Sequence, residues 1–186
     1  MIDRSLARAA GLAAIILTAI PQSSSAQSFL GGIVELPAHH RLLSRMQSNP
    51  APLTAFRSDG CSGGMSDGWA FFAANFPAFA KVHGARPPWE HCCLAHDKRY
   101  HAGPPRSADA RTSLSLRKSA DEEARQCIIR TAATREQALA NAYGITRGEV
   151  ALIYRAIGET IYRGVRAGGL PCTGADWRWG FGLPNC

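Results

Sequence analysis

The sequence predicts a mainly α fold, one domain stapled by disulfides. Three observations carry this reading: apolar residues recur at three- and four-residue steps, all 6 cysteines follow an export-type leader, and clusters of Gly and Pro separate the periodic stretches. The chain has 186 residues, 46% hydrophobic, 8% aromatic and 19% charged, with 18 Gly and 11 Pro. That composition suits one globular domain and excludes a long coiled coil, a collagen-like fibre or a mainly disordered chain. No repeat of solenoid length is present.

Residues 1–26 read as a secretory signal peptide: Arg4 and Arg8 form a basic start, Ala9 to Ile20 an apolar run, and Ser24-Ser25-Ala26 a small-residue cleavage site. The apolar run is well short of the roughly 20 residues that cross a bilayer, and no later run reaches that length, so no transmembrane segment is expected after cleavage. Residues 27–186 form the expected domain. Cleavage removes Asp3, Arg4 and Arg8 and leaves 19 basic and 13 acidic residues, a charge of +6. Export implies an oxidising compartment and three disulfides.

Gln27 to Phe56 reads as a lead-in with one short helix, His39 to Gln47, broken by Asn49-Pro50-Ala51-Pro52. Ser58 to Gly68 holds four glycines, three serines and two aspartates and reads as a loop that exposes its backbone. Trp69 to Val82 is rich in aromatics, and Pro87-Pro88 closes it. A helix follows from Trp89 to Tyr100, opened after proline and stopped by Gly103-Pro104-Pro105. A second spans Leu114 to Ala142, with a break left open. In a third, Val150, Ile153, Tyr154, Ile157, Ile161 and Val165 form an apolar seam expected in the core, opposite Arg155, Glu159, Arg163 and Arg166 as the solvated face.

On the first of these helices Cys92, His96 and Tyr100 are spaced i, i+4, i+8 and share a face, with Cys93 and Asp97 on the neighbouring stripe. If Cys92 bonds Cys127 and the two helices run antiparallel, His96 lies about 6 Å and Tyr100 about 12 Å beyond the bridge, while Asp121 lies about 9 Å back from Cys127. Asp121 then falls level between His96 and Tyr100 and accepts a hydrogen bond from each. Such a carboxylate leaves the second imidazole nitrogen free to take a proton from water. The bland alternative is an ordinary exposed acid in Asp121-Glu122-Glu123. If Cys93 pairs with Cys61, the glycine-rich loop is pinned over Asp97, and loop carbonyls with a carboxylate make the all-oxygen shell that calcium prefers. Six cysteines allow 15 pairings, so both remain conditional. The cluster His91, Cys92, Cys93, His96 and His101 raises zinc as an alternative, but vicinal cysteines chelate poorly and no second paired half is present.

These residues resemble the secreted phospholipases A2, in a bacterial-type form. Cys92-Cys93-Leu94-Ala95-His96-Asp97 is similar to the Cys-Cys-x-x-His-Asp active-site helix, Tyr100 to its following tyrosine, Asp121 with Cys127 to the Asp-x5-Cys of the partner helix, and Asp59-Gly60-Cys61-Ser62-Gly63-Gly64 to the calcium loop. The resemblance covers about residues 59–128. It implies a general base at His96, an orienting acid at Asp121, support from Tyr100, and Ca2+ held by Asp97 with the carbonyls of Gly60, Ser62 and Gly64. Side-chain ligation by Asp59 or Asp67 is left open. It further implies a phospholipid membrane surface as substrate, hydrolysed at the sn-2 ester to a fatty acid and a lysophospholipid. The departures are Arg99 where many animal members carry cysteine, 27 residues between Gly64 and Cys92, and an unusual glycine pattern in the loop.

The expected disulfides are Cys61–Cys93, Cys92–Cys127 and Cys172–Cys186. Membrane contact is expected from Trp69, Phe71 and Phe72, or from Trp177, Trp179 and Phe181. The alternative function is a catalytically weak module of this type that binds membrane or protein. Nucleic acid is not expected as a partner, because the arginines are scattered rather than run together.

Overall fold

The computed structural model describes residues 24–61 and 64–186. Among these are six helices and no strand: α1 Ser24–Ser48, α2 Met65–Asn75, α3 Pro77–His83, α4 Glu90–Ala102, α5 Ala110–Tyr143 and α6 Arg147–Gly168. The expected signal peptide lies outside the described residues except for Ser24-Ser25-Ala26, the first residues of α1. None of these helices is long and apolar enough to cross a membrane.

Local chemistry sets the ends of the two longest elements besides α1. The Asp109 carboxylate accepts the backbone N–H of Thr112 at 2.7 Å and opens α5. Thr146 and Glu149 form a reciprocal capping box that opens α6. The short link between them folds α5 and α6 into an antiparallel pair, in which Arg117 reaches the Val165 carbonyl and Arg125 pairs with Glu159. Gly158 makes their close approach possible: a Cβ there would stand 3.0 Å from Ile129 Cγ1 and 3.2 Å from the Arg125 carbonyl. Helix α4 also runs antiparallel to α5, since Cys92 bonds Cys127 near one end while Arg117 reaches Tyr100 near the other.

Two apolar clusters result. One gathers Trp89, Ile128, Val150 and Tyr154 around the Cys61–Cys93 and Cys92–Cys127 bridges; the other gathers Leu42, Leu43, Met46, Tyr100, Trp179 and Leu183. Truncating a fully buried residue such as Ile128 to alanine costs about 2–5 kcal/mol by lost transfer energy and the cavity left behind. All three expected disulfides are present, with sequence separations of 32, 35 and 14. Closing a loop near the shortest of these lengths is worth about 3 kcal/mol in the chain-entropy account.

Several expectations are corrected. The lead-in helix is not confined to His39–Gln47; α1 continues through Pro37, and Glu35 on the turn before that proline is gripped by two arginines. The glycine-rich loop ends earlier than Gly68. Helix α2 starts at Met65, with Gly64 as its cap at φ 76°, a left-handed conformation that glycine adopts without strain. Helix α5 is continuous over 34 residues. Trp179 is only 1% exposed and belongs to the core, which removes it from any membrane surface. Phe71, Phe72 and Phe76, by contrast, are each more than half exposed and touch one another in sequence, Phe72 stacking on Phe76.

Candidate active site

Helix α4 supplies one stripe with Cys92, His96 and Tyr100 and the next with Cys93 and Asp97, all buried. The disulfide from Cys92 to Cys127 fixes the register of α4 against α5. In that register the expected hydrogen bonds form. His96 Nε2 lies 2.9 Å from Asp121 Oδ1, and the Tyr100 hydroxyl donates to the same oxygen at 2.6 Å. Asp121 is fully buried, unlike Glu122 and Glu123 beside it.

Burial alone would raise the Asp121 pKa, but the hydrogen bonds from His96, Tyr100 and Arg166 and the charge of Arg117 outweigh it and hold the carboxyl below its usual range. An ionised carboxylate only accepts, so His96 carries its proton on Nε2. In the neutral imidazole Nδ1 is then a lone pair, 3.7 Å from Asp97 Oδ1. Burial pulls the His96 pKa down, yet the hydrogen bond to Asp121 and the negative charges of Asp121 and Asp97 overcome this and raise it. Burial likewise drives the Tyr100 pKa strongly upward, and the Asp121 charge adds to it, so the phenol stays a donor.

The Cys61–Cys93 bridge ties the loop to α4 one turn before Asp97. Ser58 donates to Asp97 Oδ2 at 2.6 Å and accepts the Gly60 N–H at 3.1 Å, while Ser66 accepts the Cys61 N–H at 2.8 Å. Ser58 is thus a bridge between loop and Asp97 that sequence spacing did not reveal. Among the expected ligands, Gly60 and Gly64 flank the bridge residue, and Ser62 lies outside the described residues. Asp67 is exposed in the first turn of α2. Asp97 offers a buried carboxylate, the kind of oxygen donor that fits a hard cation such as calcium. Among the described residues a softer metal has no free set: the sulfurs of Cys92 and Cys127 near His91 are bonded to each other.

Two cavities meet at Asp97 and Trp177. One of about 420 Å³ is walled by Met65, Ile128, Ile161 and Val165 and reaches His96 and Tyr100. The other, about 670 Å³, is mixed, with Arg57, Ser58, Asp59 and Asp176 in its walls beside Trp177 and Phe181. The seam on α6, expected wholly in the core, is therefore divided: Val150 and Tyr154 are buried, Ile153 is exposed, and Ile161 and Val165 line the apolar cavity. The expected solvated face is divided too. Arg166 turns inward and donates to Asp121 Oδ2 at 2.8 Å and to Glu35. No spacing signal separates it from the exposed Arg163, because its partners come from α1 and α5.

In comparisons with known proteins, no family model, no curated protein and no solved structure matches this chain.

Proposed function

We propose that the chain is a calcium-dependent lipid hydrolase of the phospholipase A2 type, cleaving the sn-2 ester of glycerophospholipids to a fatty acid and a lysophospholipid, in the periplasm or outside the cell. The observation that carries the reading is the buried pair of His96 and Asp121, 2.9 Å apart, with the free imidazole nitrogen facing Asp97. A module that only binds membrane or protein has no use for an oriented base beside a buried carboxylate.

In this reading His96 Nδ1 takes a proton from water as the water attacks the ester carbonyl, and Asp121 stabilises the imidazolium that forms. Tyr100 keeps the Asp121 carboxylate in place. Asp97, with carbonyls of Gly60, Ser62 and Gly64, would hold calcium, which supplies electrostatic stabilisation of the developing oxyanion. His96 then returns the proton to the departing alcohol oxygen.

The two cavities suit an amphiphile. An acyl chain occupies the apolar one, a head group the mixed one that carries Arg57 and Ser58, and their junction at Asp97 is one residue from the base. Exposed Phe71, Phe72 and Phe76 with the +6 charge favour contact with an anionic bilayer. Fatty-acid release from mixed phospholipid vesicles, with and without excess chelator, tests the proposal. Release abolished by chelator is expected; no release, or release that ignores chelator, overturns it.

A further inference from the structure

Behind the His96–Asp121 pair lies a buried charge cluster that the chemistry above does not use. Glu35 from α1 meets Arg117 from α5 at 2.5 Å and also pairs with Arg166 from α6. Arg117 is fully buried and Glu35 nearly so. The two carboxylates and two guanidiniums of Asp121, Glu35, Arg117 and Arg166 balance in charge.

We propose that Arg166 is a positioning residue for Asp121, and that Glu35 holds Arg166 in that role; the inference rests on the reading of His96 as the base. Asp121 Oδ1 is shared by His96 and Tyr100, and Oδ2 accepts from Arg166 Nη1 at 2.8 Å. With donors on both oxygens the carboxylate plane is fixed, and with it the tilt of the imidazole. Without Arg166, Oδ2 loses that donor inside the protein, and the carboxylate turns or draws in water to recover one.

The guanidinium suits the task because it is a planar fork. Arg166 directs Nη1 to Asp121 and Nη2 to Glu35, so one rigid group spans two carboxylates. A lysine keeps the charge and reaches one of them. Glu35 in turn is held from its other oxygen by Arg117 Nη1, while Arg117 Nε donates to the Tyr100 hydroxyl at 3.0 Å. The circuit therefore closes on the same Tyr100 that donates to Asp121, and α1 contributes to the geometry of a base on α4.

The test compares wild type with Arg166→Lys, Arg166→Met, Glu35→Gln and the surface control Arg163→Met. Folding is checked by thermal melting, and each protein is assayed for kcat, KM and calcium affinity. A 15N-histidine spectrum at one fixed pH also reads the downfield N–H proton of His96 Nε2. The expected result is a kcat loss of about 100-fold in Arg166→Met and about 10-fold in Arg166→Lys and Glu35→Gln, with KM and calcium affinity within about twofold, the scale for misplacing a reacting group. The downfield resonance shifts or disappears in the same order, and Arg163→Met matches wild type.

If the cluster only fastens α1 to α6, melting temperatures fall while kcat and the resonance stay at wild-type values, and the inference is overturned. Should Arg166→Met fail to fold, Arg166→Lys and Glu35→Gln decide by the same criteria. A wild type that releases no fatty acid overturns the proposed reaction, and the resonance then decides the positioning role: its loss supports the role and its retention rejects it.

Discussion

Gly169 lies so close to Tyr100 that a Cβ at this position would stand 2.6 Å from ring Cε1 and 2.9 Å from the hydroxyl oxygen. The glycine follows the last turn of α6, and its φ of −89° is ordinary, so the constraint is steric and not conformational. Tyr100 is 2% exposed and cannot swing away without disturbing Trp179, which packs edge-on against it.

Gly169→Ala is therefore expected to displace the Tyr100 hydroxyl from Asp121. Overpacking of this kind costs about 1–3 kcal/mol. Denaturant unfolding should show that loss, with a fall in turnover larger than stability alone explains at a temperature where the variant stays folded.

On the proposed mechanism, substitutions at three site residues separate their roles. His96→Gln keeps a polar group but no base, and turnover is expected to fall by about 10²–10⁴ while calcium and vesicle binding persist. Asp97→Asn removes the principal anionic ligand, so calcium affinity falls together with activity. Asp121→Asn leaves partial activity, because base and cation site survive and only alignment and imidazolium support weaken. Kinetics with parallel calcium titration distinguish the three patterns.

His39 gives stability a pH dependence of its own. It is fully buried, with Nδ1 2.7 Å from Ser113 Oγ and no hydrogen-bond partner on Nε2. Burial first, then the charges of Arg117 and Arg166, lower its pKa to about 3 from 6.5. Below pH 6.5 the unfolded chain binds a proton that the folded chain refuses, so stability falls with falling pH across the window from 6.5 towards 3. The slope approaches about 1.4 kcal/mol per pH unit. His96, whose pKa is raised, acts in the opposite sense and above that window, its contribution fading as pH rises. Urea unfolding between pH 6.5 and 5 checks the assignment, and His39→Gln should flatten the slope there.

For the membrane surface, Phe71→Ser combined with Phe72→Ser is expected to weaken binding to anionic vesicles at least about tenfold without destabilising the fold, since each exposed ring can bury roughly 1.5–3 kcal/mol of apolar surface in the interface. Vesicle co-sedimentation measures it. Binding equal to wild type would rule this surface out.

The sequence disclosed the parts of the site that local spacing controls. Cys92, His96, Tyr100, Cys93 and Asp97 fall on two stripes of one helix, and the step from Cys127 back to Asp121 is again set by helical rise. It did not disclose partners chosen by packing between distant elements. Ser58 reaches Asp97 across 39 residues, and Arg166 reaches Glu35 across 131. Arg166 and Arg163 occupy the same polar face by periodicity, and only the arrival of α1 and Asp121 distinguishes them. The reach of α1 beyond His39 has a related cause: Glu35 is gripped by arginines from other helices, partners that no local spacing shows.

The adjacent Cys92 and Cys93 are anchored in different directions, one to α5 and one to the loop before α2. A helix held at neighbouring positions on two of its sides can neither spin about its axis nor slide along it. The entropy lost in bringing loop and helix together is thus settled during oxidative folding, before any ligand arrives. On the proposed reading, cation binding would then order little additional chain, and calorimetry should find a heat-capacity change far smaller than that of a segment folding as it binds. Reduction of the two bridges would restore that conformational freedom and make the same association thermodynamically a folding reaction.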